Sequence, residues 1–260
     1  MNTSNNQIEF NDIKKNITVI IQGPIDERSY ESIDAYGSQG FTDILVSTWD
    51  NQETSLLKRA SYEYRICYSA FPTQSQIRNI NNEGSRFYQA VTTLNGCTNS
   101  DKDFVLKTRS DEVYPNLDRF LSNFLYNKDK IHTTNNGFWK YIPFCFSNHL
   151  FLGKKTVIKN ACEYIIEHCI GEQFNGLNIF CAEQEFGYFL MYSIDNNFDP
   201  YNWLEYFKKY VFITPCSDLP DHLHSGGTSA PHSFKRNKNY PYGRPDNHPI
   251  DKLYNSSEEF

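Results

Sequence analysis

Asp103-Phe104-Val105-Leu106-Lys107-Thr108-Arg109-Ser110-Asp111-Glu112 is the stretch that decides the fold. Phe104 to Leu106 reads as a short buried strand. It runs directly into a lysine, an arginine, two carboxylates and two hydroxyls. In an open α/β sheet, ligands lie outside the carboxyl ends of the strands. Polar groups placed there are therefore site candidates before any chemistry is named. In isolation, a solvated strand end with an Asp-Glu helix start explains the stretch equally well, so its neighbours must decide.

Upstream, Ile17-Thr18-Val19-Ile20-Ile21 is a β-branched run ended by Gln22-Gly23-Pro24-Ile25, a buried parallel-type strand followed by a Gly-Pro turn. A polar helix is expected from about Glu27 to Tyr36, closed near Gly37 and Gly40. A second strand, Asp43 to Asp50, carries Ser47, Thr48, Trp49 and Asp50 at its tip. Tyr64 to Tyr68 is a third strand. A helix from about Gly84 to Gly96, with Arg86 and Gln89 sharing a face at i and i+3, leads back to Phe104. This alternation predicts a single α/β domain with a Rossmann-like, mostly parallel sheet flanked by helices.

Downstream, Pro115-Asn116-Leu117 starts a helix to about Tyr126, and a loop is expected from His132 to Lys140. Phe144 to Leu152 reads as an apolar strand interrupted by Ser147-Asn148-His149. Helices follow from Thr156 to Cys169, from Cys181 to Tyr192 and from Trp203 to Tyr210, then a short strand, Val211 to Ile213. The domain is placed at 16–214, between a flexible N-terminus, 1–15, and an irregular C-terminal arm, 215–260.

A net charge of -6 argues against a general nucleic-acid binder, because backbone affinity needs a basic surface. The 7 cysteines are odd in number and none are spaced C-x-x-C, which argues against a zinc ribbon or a disulfide framework. Reduced thiols, no signal-like start and no apolar run long enough to span a bilayer give the expectation of a soluble, cytoplasmic chain, with peripheral membrane contact left open.

An acidic residue at the tip of the second strand, Asp50, is well placed for ribose hydroxyls. The Trp49 indole suits a base or sugar face, although a packed Trp with a capping Asp reads equally well. Glu183 and Glu185 lie in a first helical turn, where the helix dipole alone explains them. His222 and His224 share a side if extended, as metal ligands or as surface residues.

With these residues quoted, the chain resembles the WavE lipopolysaccharide-synthesis family of GT-A-type glycosyltransferases. The resemblance is carried by Gln22-Gly23-Pro24-Ile25, Ser47-Thr48-Trp49, Gln89 to Gly96, Val105 to Asp111, and Pro143-Phe144 with Ser147-Asn148 to Phe151-Leu152-Gly153. It implies a GT-A-like fold and sugar transfer from a nucleotide-sugar donor to a glycan or glycolipid acceptor, as in polysaccharide synthesis. Charge building on the departing diphosphate then needs a divalent cation, Mn or Mg, or cationic side chains. Arg109-Ser110-Asp111 stands where such enzymes carry Asp-x-Asp. Asp111 would be the chief metal ligand, with Glu112 beside it or on the ribose. Gln22, Gly23, Pro24, Thr48, Trp49 and Asp50 would hold the nucleoside side of the donor. Arg86, Gln89, Lys107 and Arg109 would handle its phosphates, and Glu183 or Glu185 would be the base. Two positions depart from the pattern: Tyr88 replaces an arginine and Asn148 an aspartate. Two alternatives stand beside this reading. One is a sugar-nucleotidyltransferase, which wants a Gly- and Arg/Lys-rich loop after the first strand. The other is a non-catalytic nucleotide- or glycan-binding protein with a degenerate site.

Overall fold

The computed structural model describes Phe10 and residues 12–73, 84–135, 143–145, 147–170, 182–219 and 223–224. In chain order the elements are β1 (Ile17–Gln22), α1 (Glu27–Ser38), β2 (Ile44–Trp49), β3 (Arg65–Ser69), α2 (Gly84–Thr98), β4 (Phe104–Arg109) and β5 (Glu112–Val113). Then come α3 (Asp118–Tyr126), β6 (Ile131–Thr134), β7 (Phe151–Lys154), α4 (Lys155–Ile170), α5 (Ala182–Ile194), α6 (Trp203–Tyr210), β8 (Val211–Thr214) and β9 (Leu223–His224).

Seven strands form one sheet in the order β3-β2-β1-β4-β7-β6-β8, and β5 pairs with β9 in a separate ribbon. β3, β2, β1 and β4 are mutually parallel, as the alternation predicted. β7 runs antiparallel to both β4 and β6, and β6 is parallel to β8. The architecture is thus a Rossmann-like α/β sheet with one reversed strand.

Because successive strand residues point to opposite faces, each strand feeds two cores. Val19, Ile21 and Leu106 pack with Ile33 and Tyr36 of α1 and Phe120 and Phe124 of α3. Ile20, Val105 and Phe151 pack with Ala90 of α2, Ala161 and Ile165 of α4 and Phe186 and Phe189 of α5. Each fully buried Phe or Ile contributes about 1.5–3 kcal/mol. A Cβ on Gly96 would lie 2.6 Å from Ile20 Cγ2, so glycine there lets α2 sit close on the sheet.

The connection β1-α1-β2 lies on one face and β3-α2-β4 on the other. Strand order reverses between β1 and β4, and the carboxyl ends of neighbouring strands at such a reversal are where open α/β sheets take their ligands.

Three expectations change. His132 to Thr134, expected in a loop, is inside β6, with all four of its residues buried. Part of its polarity is met locally: the His132 ring stacks on Phe212 at 5.1 Å and its Nε2 donates to the Asn127 carbonyl at 2.9 Å, while His132 Nδ1 and Thr134 Oγ1 find no hydrogen-bond partner among the described residues. The expected strand from Phe144 to Leu152 shrinks to Phe151–Lys154, and Phe144 itself takes a left-handed φ of 63°. Order also extends past both expected ends of the domain. Residues 12–15 are helical with Ile13 in the core, and Leu219 is buried in the same cluster.

Candidate functional site

The candidate site, the β1–β4 crevice, is built from the turns that follow β1 and β4. Gln22 and Arg109 are register partners at the two strand ends. Ser110 N donates to the Gln22 carbonyl at 2.9 Å, and Ser110 Oγ donates to the Pro24 carbonyl at 2.6 Å. Gly23 has φ +127°, and a Cβ on it would sit 2.7 Å from Ser110 Oγ. Glycine is thus required twice, for its backbone conformation and for the close approach of the two turns.

In many nucleotide folds the helix after β1 offers its N-terminus to phosphate. Here Asp26 caps α1 with its own carboxylate, accepting from Arg28 N at 2.8 Å in a capping box with Ser29. That helix end already faces a negative charge.

Arg109 ends β4. Its Nε and Nη2 donate to the two oxygens of Asp111 at 2.8 and 2.6 Å, and its Nε lies 4.0 Å from Glu112 Oε1. The side chains of Arg109 and Asp111 are 29% and 21% exposed, so the pair is reachable from solvent. Burial disfavours the guanidinium charge, but the Asp111 hydrogen bonds and the Glu112 charge outweigh it and raise its pKa further.

Glu112 is fully buried. Its Oε2 accepts from Tyr114 Oη at 2.7 Å and its Oε1 accepts a short hydrogen bond from His149 Nδ1. Burial and the Glu112 charge push the Tyr114 hydroxyl well above its ordinary range, so it stays a donor. Ser32 of α1 donates to the Glu112 carbonyl at 2.6 Å and fixes the backbone.

Lys107 points into the other face, under α2 and α5. Its Nζ donates to the Asn148 carbonyl and to Gln89 Oε1 at 3.2 Å, between the rings of Phe151 and Phe186. Burial first, then repulsion from Arg109, lowers its pKa to about 7. Lys107 and Gln89 were both expected to touch donor phosphates. The lysine is instead fully buried and ties β4 to the loop before β7. Asn148 is buried too, and its Oδ1 finds no hydrogen-bond partner among the described residues.

The remaining expected residues fall in three places. Gln22 is buried and accepts from Thr92 Oγ1 of α2 at 2.8 Å, which locks the floor of the crevice, and Thr48 is buried beside it in β2. Trp49 is 4% exposed, boxed edge-on by Phe71 at 5.4 Å and Tyr88 at 5.5 Å, with Phe71 stacked on Tyr88. The indole is therefore packing rather than an open platform, and the exposed ring of this group is Phe71. Asp50 is exposed, and its Oδ1 accepts from Phe71 N at 3.1 Å, the capping role weighed above.

Arg86 and Glu185 do not join the crevice ligands. Glu185 is fully buried, 3.2 Å from Arg86 Nη1 and accepting from His168 Nδ1 at 2.6 Å, a clamp that joins α2, α4 and α5. A carboxylate held by a guanidinium and an imidazole and shut away from solvent is poorly placed to meet an acceptor hydroxyl. Glu183 is half-buried at the start of α5.

The expected metal set was Asp111, His222 and His224. Both Asp111 oxygens are committed to Arg109, and no group of three His, Cys, Asp or Glu side chains converges among the described residues. His224 contributes backbone to β9, opposite Glu112, while His222 lies outside the described residues.

His149 is the residue that the sequence reading passed over. It read only as an interruption of a strand, and its contact with Glu112 spans 37 positions.

No family model matches the chain, and no curated protein matches it. Among solved structures, HddC from Yersinia pseudotuberculosis is similar at TM-score 0.40 and 11% identity, over 64% of this chain and 86% of that chain. A likeness this distant carries nothing about function. The resemblance to the WavE family rests on the quoted residues alone. No helix among the described residues is long and apolar enough to cross a membrane.

Proposed function

We propose that the protein is a glycosyltransferase that takes a nucleotide-sugar donor in the β1–β4 crevice and passes the sugar to a glycan or glycolipid hydroxyl. The observation that carries this reading is the junction of the Gly23 turn with the partly exposed Arg109 at the ends of two neighbouring parallel strands. Backbone without a side chain approaches closely on one side, and a guanidinium stands on the other. That combination suits a diphosphate, because a planar guanidinium binds phosphate oxygens in a fork and stabilises charge on the leaving group. The residues shared with the WavE family turn a nucleotide site into a sugar-transfer site.

In this reading Arg109 exchanges Asp111 for the donor diphosphate. The buried ties of Gln22, Thr92 and Ser110 hold the crevice in shape before the ligand arrives, which lowers the ordering cost of binding. Phe71, 42% exposed, offers a ring to the nucleoside.

The test is turnover of a panel of nucleotide sugars with glycan and glycolipid acceptors, with and without Mn or Mg. The expected result is sugar transfer that Arg109→Met abolishes. The Arg109–Asp111 pair also favours a second reading, a nucleotide-binding protein without turnover. Calorimetric binding of a nucleoside diphosphate with no turnover of any donor would select it.

A further inference from the structure

The transferase reading needs a base for the acceptor hydroxyl, and Glu185, one of the two expected glutamates, is tied up by Arg86 and His168. We propose that His149, oriented by Glu112, is the general base that takes the proton from an acceptor sugar hydroxyl. The inference rests on the transferase reading above.

Glu112 is fully buried and both its oxygens are engaged, Oε2 by the Tyr114 hydroxyl and Oε1 by His149 Nδ1. A carboxylate pinned in this way fixes the imidazole ring and its tautomer. With the proton on Nδ1, the lone pair is on Nε2. The carboxylate also offsets the positive charge that the ring acquires when it takes a proton.

The backbone under His149 is fixed as well. His149 N donates to Ser147 Oγ at 3.2 Å, the Ser147 carbonyl accepts from Thr133 Oγ1 at 2.9 Å, and the Asn148 carbonyl accepts from Lys107 Nζ. Lys107 is thereby a positioning residue: it anchors the loop that carries the base. The His149 side chain is 13% exposed, whereas Glu185 is fully buried.

Placement links the base to the leaving group. The Glu112 oxygen that holds His149 is 4.0 Å from Arg109 Nε. One carboxylate thus joins the imidazole to the guanidinium assigned to the diphosphate.

The step balances without any further reagent. The acceptor O–H gives its proton to His149 Nε2 as its oxygen forms a bond to the anomeric carbon. The bond from that carbon to the donor phosphate oxygen breaks, and its electron pair leaves with the nucleoside diphosphate. A single displacement of this kind inverts the anomeric centre.

The experiment compares transfer by the full chain with His149→Gln, Glu112→Gln and Glu183→Gln. General-base catalysis is worth about 10²–10⁴-fold. His149→Gln should lose that much in kcat with donor KM essentially unchanged, and imidazole should restore part of the activity of His149→Ala. Glu112→Gln, which keeps the side chain's size, should lower kcat in the same sense, and it carries the test if the His149 variants do not fold. Wild-type kcat in His149→Gln, a loss confined to donor KM, or a loss of kcat found instead in Glu183→Gln would overturn the assignment. A wild-type chain that transfers no sugar from any donor sinks the transferase reading and this one with it. A chain that transfers normally without His149 sinks this one alone.

Discussion

The molecule contains the same chemical kit twice. At the end of β4, buried Glu112 holds His149 Nδ1 with Arg109 nearby. Between the helices, buried Glu185 holds His168 Nδ1 with Arg86 nearby. Both glutamates are fully buried, yet the surroundings differ. The helical set joins α2, α4 and α5, and its arginine is 10% exposed. The strand-end set lies at the carboxyl ends of β1 and β4, and its arginine is 29% exposed and shares its charge with Asp111. Composition of a cluster therefore does not assign its role. Position on the sheet does, because the carboxyl ends of parallel strands leave backbone and side chains facing a crevice.

The comparison is most easily broken at the two arginines. Arg86→Met leaves Glu185 buried without its guanidinium partner, and removing one member of a buried ion pair costs roughly 3–5 kcal/mol. Urea unfolding should register that loss, while donor affinity of the folded fraction stays as in the wild type. Arg109→Met should do the reverse. Donor affinity should weaken about 30–100-fold, the equivalent of roughly 2–3 kcal/mol from a lost charged contact, with a smaller loss of stability than Arg86→Met. A strong loss of donor binding in Arg86→Met would exchange the roles of the two centres.

Gly23→Ala sharpens the account of the crevice. It forces a side chain into φ +127° and against Ser110 Oγ, so a cost of about 1–3 kcal/mol is expected in thermal or urea unfolding. No measurable cost would mean that the two turns do not meet closely.

Near neutral pH Lys107 gives the smallest effect, and a signed one. Its pKa falls from 10.5 in the unfolded chain to about 7 in the fold, chiefly through burial. Between those values the unfolded chain binds a proton that the native state does not, so stability rises with pH across that window. Relative to Lys107→Met, the wild type should gain up to about 1.4 kcal/mol per pH unit from pH 7 upward. A flat difference would mean that Lys107 is not desolvated.

Much of this was legible in the sequence, for reasons that are local. The β-branched run at Ile17, the alternation of strands and helices up to Phe104 and the charged end of β4 need only neighbours along the chain. The misread parts depend on distant ones. β6 looked like a loop because His132, Thr133 and Thr134 are polar, yet they are buried between β7 and β8. Burial holds the His132 pKa down to about 4, so its ring behaves as a neutral aromatic. Trp49 looked open because Phe71 and Tyr88 lie 22 and 39 positions away by residue number. At Asp111 nothing in the sequence signalled the ion pair in which its neighbour Arg109 holds both oxygens. Lys107 looked like a phosphate ligand because its burial under α2 and α5 comes only with the assembled helices.

The central claim is that the β1–β4 crevice takes the donor diphosphate. A crystal structure of the full chain soaked with a nucleoside diphosphate tests it most directly. The account predicts the diphosphate between the Gly23 turn and Arg109, with Arg109 turned from Asp111 toward it. A diphosphate bound at the Arg86–Glu185–His168 clamp, or a crevice with Arg109 still on Asp111 at saturating ligand, would contradict it.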